Sequence, residues 1–190
     1  MDRTPTLELV MTLDVELAPP LEIGDIGAGI RRAIPITAGT FEGVTMRGQV
    51  LPGGADWNLA RHDGTSELWA RYTLQTDDGV LIGILNTGIA IPQPDGSVSV
   101  QTAPQFEVAG EQYAWLRPSI FVGTLTCGDR TCCPPPVLSR DVICWVRRAR
   151  CTRSTLTIKT MTDAAAGPSG RRAAITEGTH GPITSVGAQA

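Results

Sequence analysis

Between Ile36 and Gly88 the chain runs as short alternating segments broken by Gly53-Gly54, Asp63-Gly64 and Asp78-Gly79. Asp-Gly between alternating segments is a strong hairpin signal, because the central residues of a tight hairpin turn take positive φ. The stretch therefore predicts an antiparallel β-meander. Leu7, Leu9, Met11, Leu13, Val15 and Leu17 fall at every second position with Glu8, Thr12, Asp14 and Glu16 between them. That pattern predicts a half-buried strand with one face on a core. Pro19-Pro20 stops the strand, and residues 21–33 read as a loop at the barrel mouth. Strand-like segments recur near 34–37, 40–51, 56–62, 66–76, 80–87, 98–108 and 112–124, with a turn at Pro94-Asp95-Gly96-Ser97. No helical period is visible before residue 125. The pattern predicts an all-β protein, an antiparallel β-barrel of meander topology.

A chain of 190 residues is long enough for one domain with a sizeable core. The opening MDRTPTLELV lacks the charged and apolar regions of a signal peptide, and no apolar run approaches a membrane span. Aromatic residues are too few for the girdles of a transmembrane barrel. The expectation is a cytoplasmic protein with no membrane partner. Charge is distributed unevenly. Residues 1–125 hold 7 Arg, no Lys and 15 Asp/Glu, a net of −8, whereas residues 126–190 hold 9 Arg/Lys and 4 Asp/Glu, a net of +5. The acidic body and the scarcity of basic–aromatic interleaving argue against a nucleic-acid partner.

Several ordered strings resemble the bacterial and fungal domain-of-unknown-function family 3237. They are Gly39-Thr40-Phe41-Glu42-Gly43, Arg47-Gly48 and Leu51-Pro52-Gly53-Gly54-Ala55-Asp56-Trp57. Further on come Ala70-Arg71-Tyr72-Thr73-Leu74, Thr76-Asp77-Asp78-Gly79, Tyr113-Ala114-Trp115-Leu116 and Ile120-Phe121-Val122-Gly123. The likeness spans about residues 5–125. It implies a compact antiparallel barrel and carries no general reaction, metal or cofactor. Members continue into a last strand that closes the barrel, but here the likeness stops at Thr124, and Arg117 stands where members often have Asn.

The expected domain is thus 1–125, closed by a strand near 137–146, where Leu138, Arg140, Val142, Cys144 and Val146 alternate with Ser139, Asp141 and Ile143. Residues 126–190 read as a divergent, largely disordered tail with the composition of a frameshifted GC-rich coding strand. All five cysteines (Cys127, Cys132, Cys133, Cys144, Cys151) lie there. They lack the paired C-x2-C knuckles of zinc sites, so no metal is expected.

Asp56 beside Trp57 is the leading catalytic candidate, since a carboxylate against an indole can serve as a general base with its pKa raised by an apolar wall. Turn capping by Asp56 and a plugging Trp57 is the structural alternative. Arg71, with Trp69 beside it, is read as a catalytic clamp for a substrate carboxylate or as an ion pair; facing outward, it can instead meet a second copy in a homodimer. Glu42, Arg47, Asp78 and Trp115 complete the candidate substrate-binding set, with turn chemistry, a cross-strand pair and core packing as their structural alternatives. His62 has no nucleophile partner for a triad. No phosphate-cradling glycine motif is present, and no cofactor is expected. The functional expectation is a barrel that binds or transforms a small organic acid or lactone by cofactor-independent proton transfer, as a hydrolase, isomerase or cyclase. A non-catalytic small-molecule-binding barrel, or a damaged copy with a frameshifted C-terminus, is the alternative.

Overall fold

The computed structural model describes residues 5–127 and 153–162. Alternating apolar residues pair into ten strands: β1 (Thr6–Leu17), β2 (Leu21–Asp25), β3 (Gly29–Gly43), β4 (Arg47–Asp56), β5 (Leu59–Arg61), β6 (Ser66–Thr76), β7 (Leu81–Pro92), β8 (Val98–Val108), β9 (Phe121–Cys127) and β10 (Arg153–Thr162). The Asp78-Gly79 turn joins β6 to β7, with Gly79 at φ +86° and its N–H donating to the Thr76 carbonyl at 2.8 Å. From β3 onward the strands β3, β4, β6, β7, β8, β9 and β10 each pair antiparallel with the next, and β1 pairs with both β10 and β3. Eight strands therefore close into a barrel of meander topology, as the turn pattern predicts.

Closure depends on β10. Leu13 of β1 faces Leu156 of β10 on one side and Phe41 of β3 on the other, while Leu156 also faces Leu125 of β9. Leu156 and Ile158 are buried to within 1% of full occlusion. The expected closing strand near 137–146 lies outside the described residues. The strand that fills the gap is at 153–162, so the barrel does not end at residue 125.

Four local expectations are corrected. Residues 21–33 are not a loop: β2 pairs with the first part of β3 (Leu21 with Ala33, Asp25 with Ile30), and β5 flanks that part on its other side (Gly29 with Arg61). Leu21 and Ile23 are exposed, so ladder hydrogen bonds rather than a buried apolar face make these residues extended. Gly53-Gly54 is not a turn but an irregularity inside β4, where Leu51 opposite Thr73 steps to Ala55 opposite Arg71. Two extra residues equal one full side-chain period, so Asp56 keeps the inward parity of Val50. A Cβ on Gly54 would lie 2.4 Å from Tyr72 Cβ, so the bare glycine lets Tyr72 press against β4.

In β1, a bulge between Leu9 and Met11 reverses the parity. Leu7 and Leu9 therefore point outward, about half exposed (52% and 50%), while Met11 and Leu13 are fully buried. Residues 112–124 are likewise not one strand: a 3-10 helix occupies Glu111–Leu116, and β9 begins at Phe121. Tyr113 and Leu116 of that helix are buried, plugging the barrel end that carries the β6–β7 turn. The Tyr113 hydroxyl donates to Asp78 at 3.1 Å and holds the plug to the turn. The opposite end, at the last residues of β1 and the first of β6 and β10, has no such plug among the described residues.

A chain ending at residue 127 leaves β1 and β9 as unpaired edges and is expected to aggregate in size-exclusion chromatography. Ile158→Ala, which truncates a side chain with 0% exposure, is expected to cost about 2–5 kcal/mol in urea unfolding.

Candidate functional site

At the unplugged end the inward-facing side chains leave a cavity of about 100 Å³. Its walls are mostly aliphatic: Val15 and Leu17 from β1, Ile34 and Ile36 from β3, Leu68 and Ala70 from β6, Leu156 from β10. Into this apolar frame project Asp56, Arg32, Asn58, Tyr72, Asn86 and Ser154. Strand parity places most of them: Tyr72 follows Leu68 and Ala70 on β6, and Asn86 follows Ile82 and Ile84 on β7, each on the buried face.

Asp56 ends β4, between Ile34 of β3 and Ala70 of β6. Its Oδ1 accepts the Trp69 backbone N–H at 2.8 Å. The buried Asn58 amide donates to the Glu67 carbonyl at 3.1 Å and reaches Asp56 Oδ2 at 3.4 Å. Burial pushes the Asp56 carboxyl from its ordinary 3.8 up to about 6; the Trp69 and Asn58 hydrogen bonds and the charge of Arg31 pull it back only in part. Burial, and then the charge of Asp56, hold the Tyr72 phenol well above its ordinary range, so it stays a neutral donor. Arg32 is 3% exposed, with Nε 3.7 Å from Glu22 Oε2. The Asn86 side chain is equally buried, and its Oδ1 accepts no hydrogen bond. The site thus holds a carboxyl poised near neutrality, a buried guanidinium, a phenol and an amide in one largely apolar cavity.

Of the candidate residues read from the sequence, Asp56 alone lines this cavity. Trp57 and Trp69 follow and precede inward residues, and their rings lie on the outer wall, 44% and 41% exposed, beside Arg31 and Glu67. Arg71 also points outward, bonded to Glu107 Oε2 at 3.1 Å. That is the ion-pair alternative with a partner across β7, reached because Gly83 leaves the intervening surface low. Glu42 and Arg47 are exposed Cα partners across β3 and β4, and Arg47 Nε donates to Asp77 at 3.1 Å. Asp78 anchors Tyr113 and Gln112 at the plugged end. Trp115 packs on Phe121 there, ring centroids 6.3 Å apart.

The residues that reading missed are Arg32, Asn58, Tyr72, Asn86 and Ser154. A signal existed for Tyr72 and Asn86, as polar groups on an otherwise apolar strand face. Arg32 had none, because its stretch does not alternate. Among the described residues no group of three or more His, Cys, Asp and Glu is placed to hold a metal, and no helix is long and apolar enough to cross a membrane.

A carboxyl raised on folding binds a proton between about pH 4 and 6 that the unfolded chain has released, so stability falls as pH rises through that window. Asp56→Asn removes this effect. Its stability relative to wild type is expected to improve by up to about 3 kcal/mol from pH 4 to pH 7 in urea titrations, and parallel profiles would contradict the buried carboxyl. Arg71→Ala, at an exposed ion pair, is expected to change stability by less than about 1 kcal/mol.

Comparison with known proteins agrees with this architecture. The sequence profile described as "Protein of unknown function (DUF3237)" matches residues 5–131. The UPF0311 protein RPA1785 of Rhodopseudomonas palustris is 36% identical over 136 residues, covering 64% of this chain and 89% of its own. The crystal structure of the protein of that name superposes with TM-score 0.67 over 84% of this chain and 99% of the other. A β-barrel-like protein of Acinetobacter baumannii gives TM-score 0.69 at 28% identity, covering 84% of this chain and 97% of its own. The hydroalkoxylation enzyme phnH of Penicillium herquei is 28% identical over 120 residues, covering 63% of this chain and 74% of its own. The eight-stranded barrel, the profile match and these relatives lead to one conclusion: the chain belongs to the DUF3237 family.

Proposed function

We propose that the barrel is a cofactor-independent enzyme that binds a small organic acid, lactone or related oxygen-bearing molecule and moves a proton with the Asp56 carboxyl. The observation that carries the reading is a carboxyl raised to about 6 inside a largely apolar cavity that also holds Arg32 and Tyr72. A group titrating near the working pH serves as base when ionised and as acid once protonated. Oxygen that gains negative charge as the proton leaves is stabilised by a cation and a neutral phenol in a low-dielectric site. The carboxylate-clamping role expected of Arg71 passes to Arg32, because Arg71 faces away from the cavity. The relative whose name records hydroalkoxylation supports proton-transfer chemistry, since adding O–H across a double bond requires moving one proton.

The probe 1,2-benzisoxazole tests the reading without knowledge of the natural substrate. A base removes its C3 proton, the N–O bond breaks, and 2-cyanophenolate appears by absorbance. The expected result is at least a ~100-fold acceleration over free acetate at equal concentration. The rate should rise with a midpoint near pH 6 and be lost in Asp56→Asn. Tyr72→Phe is expected to lower the rate about 10-fold or more by removing a donor to the phenolate. Equal rates for wild type and Asp56→Asn would overturn the enzyme reading; calorimetric binding of the probe without turnover would favour the binding barrel.

A further inference from the structure

On the outer wall, the register that sets Asp56 against Ala70 carries Trp57, in the link between β4 and β5, opposite Trp69 of β6. The Trp57 N–H donates to the Trp69 carbonyl at 3.0 Å. Both indoles point away from the cavity with 44% and 41% of their surface open, and neither packs on another aromatic ring among the described residues. Thr87 of β7 lies opposite Trp69, and Ala103 of β8 lies opposite Thr87, so the wall beside the indoles is low. The result is a cleft of about 480 Å³ bounded by Trp57, Trp69, Thr87, Gly88, Glu67 and Arg31. Its volume falls in the ~300–1,000 Å³ range of small-molecule sites. The charge in the cleft is one-sided. Glu67 is committed, its Oε1 accepting from Arg61 Nη1 at 2.6 Å. Arg31 alternates with the inward Arg32 and stands outside, where its Nη1 donates to the Trp57 carbonyl. Its other guanidinium N–H groups have no acceptor among the described residues, and Asp56 feels its charge without pairing with it.

We propose that this cleft is a second binding site, which takes a planar aromatic carboxylate with its rings against Trp57 and Trp69 and its carboxylate on Arg31. The inference is independent of the reading of the barrel cavity. Indole faces offer a large apolar contact at low cost in side-chain freedom, and planar rings stack on them in offset or edge-to-face geometry. A guanidinium with unused N–H groups presents a rigid fork that matches the two oxygens of a carboxylate. An aromatic cation is the wrong partner, because the positive charge of Arg31 is the one left uncompensated in the cleft. A nucleic acid is excluded as well, since residues 1–125 carry a net charge of −8. The two tryptophans thereby gain a binding role on the outer wall instead of in the cavity.

Calorimetric titration of the full chain with 2-naphthoate and with 2-naphthamide, its uncharged counterpart, tests the assignment. Two fused rings exceed the barrel cavity of about 100 Å³, since cavities of ~150 Å³ are the size that admits benzene. Wild type is expected to prefer naphthoate by about tenfold and Arg31→Gln to lose that preference, a hydrogen bond to a charged group being of that order. Trp57→Ala and Trp69→Ala are each expected to weaken both ligands by about three- to tenfold while leaving the preference in place. Trp115→Phe, at the plugged end, supplies a control and should change neither affinity. Should an alanine variant fail to fold, the leucine variant at that position is expected to show the same loss. Should Arg31→Gln fail to fold, Arg31→Lys, which keeps the charge without the fork, is expected to reduce the preference. Equal wild-type affinity for the two compounds, or a preference unchanged in the Arg31 variants, would overturn the carboxylate assignment. Undiminished binding in both tryptophan variants, or no binding by wild type at millimolar concentration, would overturn the site, and neither result bears on Asp56-dependent turnover of benzisoxazole.

Discussion

The backbone ladder that β10 makes with β1 on one side and β9 on the other turns a curled sheet into a closed cylinder. Everything distinctive about the site depends on that closure. Ser154 and Leu156 of β10 form part of the cavity wall, opposite the β6 residues that support Asp56. Without them the cavity that encloses the carboxyl would lack that wall. The closing ladder also removes the two edges that would otherwise be available for pairing with other chains.

Within the cylinder the two ends are built differently. One is filled by a short 3-10 helix whose Tyr113 is tied to the acidic β6–β7 turn, so the carboxylate of Asp78 is committed to structure. The other end keeps space, and its carboxyl is held by one main-chain and one side-chain contact. The Trp69 N–H and the Asn58 amide orient the Asp56 carboxyl without neutralising it. Burial therefore outweighs the hydrogen bonds, and the group is held near neutrality instead of being locked as an anion. Such an arrangement lowers stability at neutral pH.

Legibility in the sequence followed the periodicity. The Asp78-Gly79 hairpin and the β6 alternation of Leu68, Ala70, Tyr72 and Leu74 were readable because turn chemistry and parity are local properties. β1 was readable only in part: its apolar period is unbroken in sequence, yet a single bulge turns Leu7 and Leu9 outward. Gly53-Gly54 has the composition of a turn and the role of a bulge, since the contact that requires Gly54 is with Tyr72, eighteen residues away. Of the candidate site residues, Asp56 was found because a carboxylate beside an indole, just after a glycine pair, is a local anomaly. Arg32 was invisible, because what buries it is pairing with β2 and the Asn58 carbonyl, neither of which leaves a trace in its own segment.

By itself the sequence determined the fold class, the meander from Ser66 to Val108 and the family, because alternation and tight-turn chemistry act over a few residues at a time. Only the tertiary structure decided which strand closes the ring, which side chains share the cavity and which carboxyl is lifted toward neutrality. Those properties arise from burial and from register between strands far apart in the chain, and a one-residue shift in register moves a side chain from the core to solvent without changing the pattern that predicts the strand.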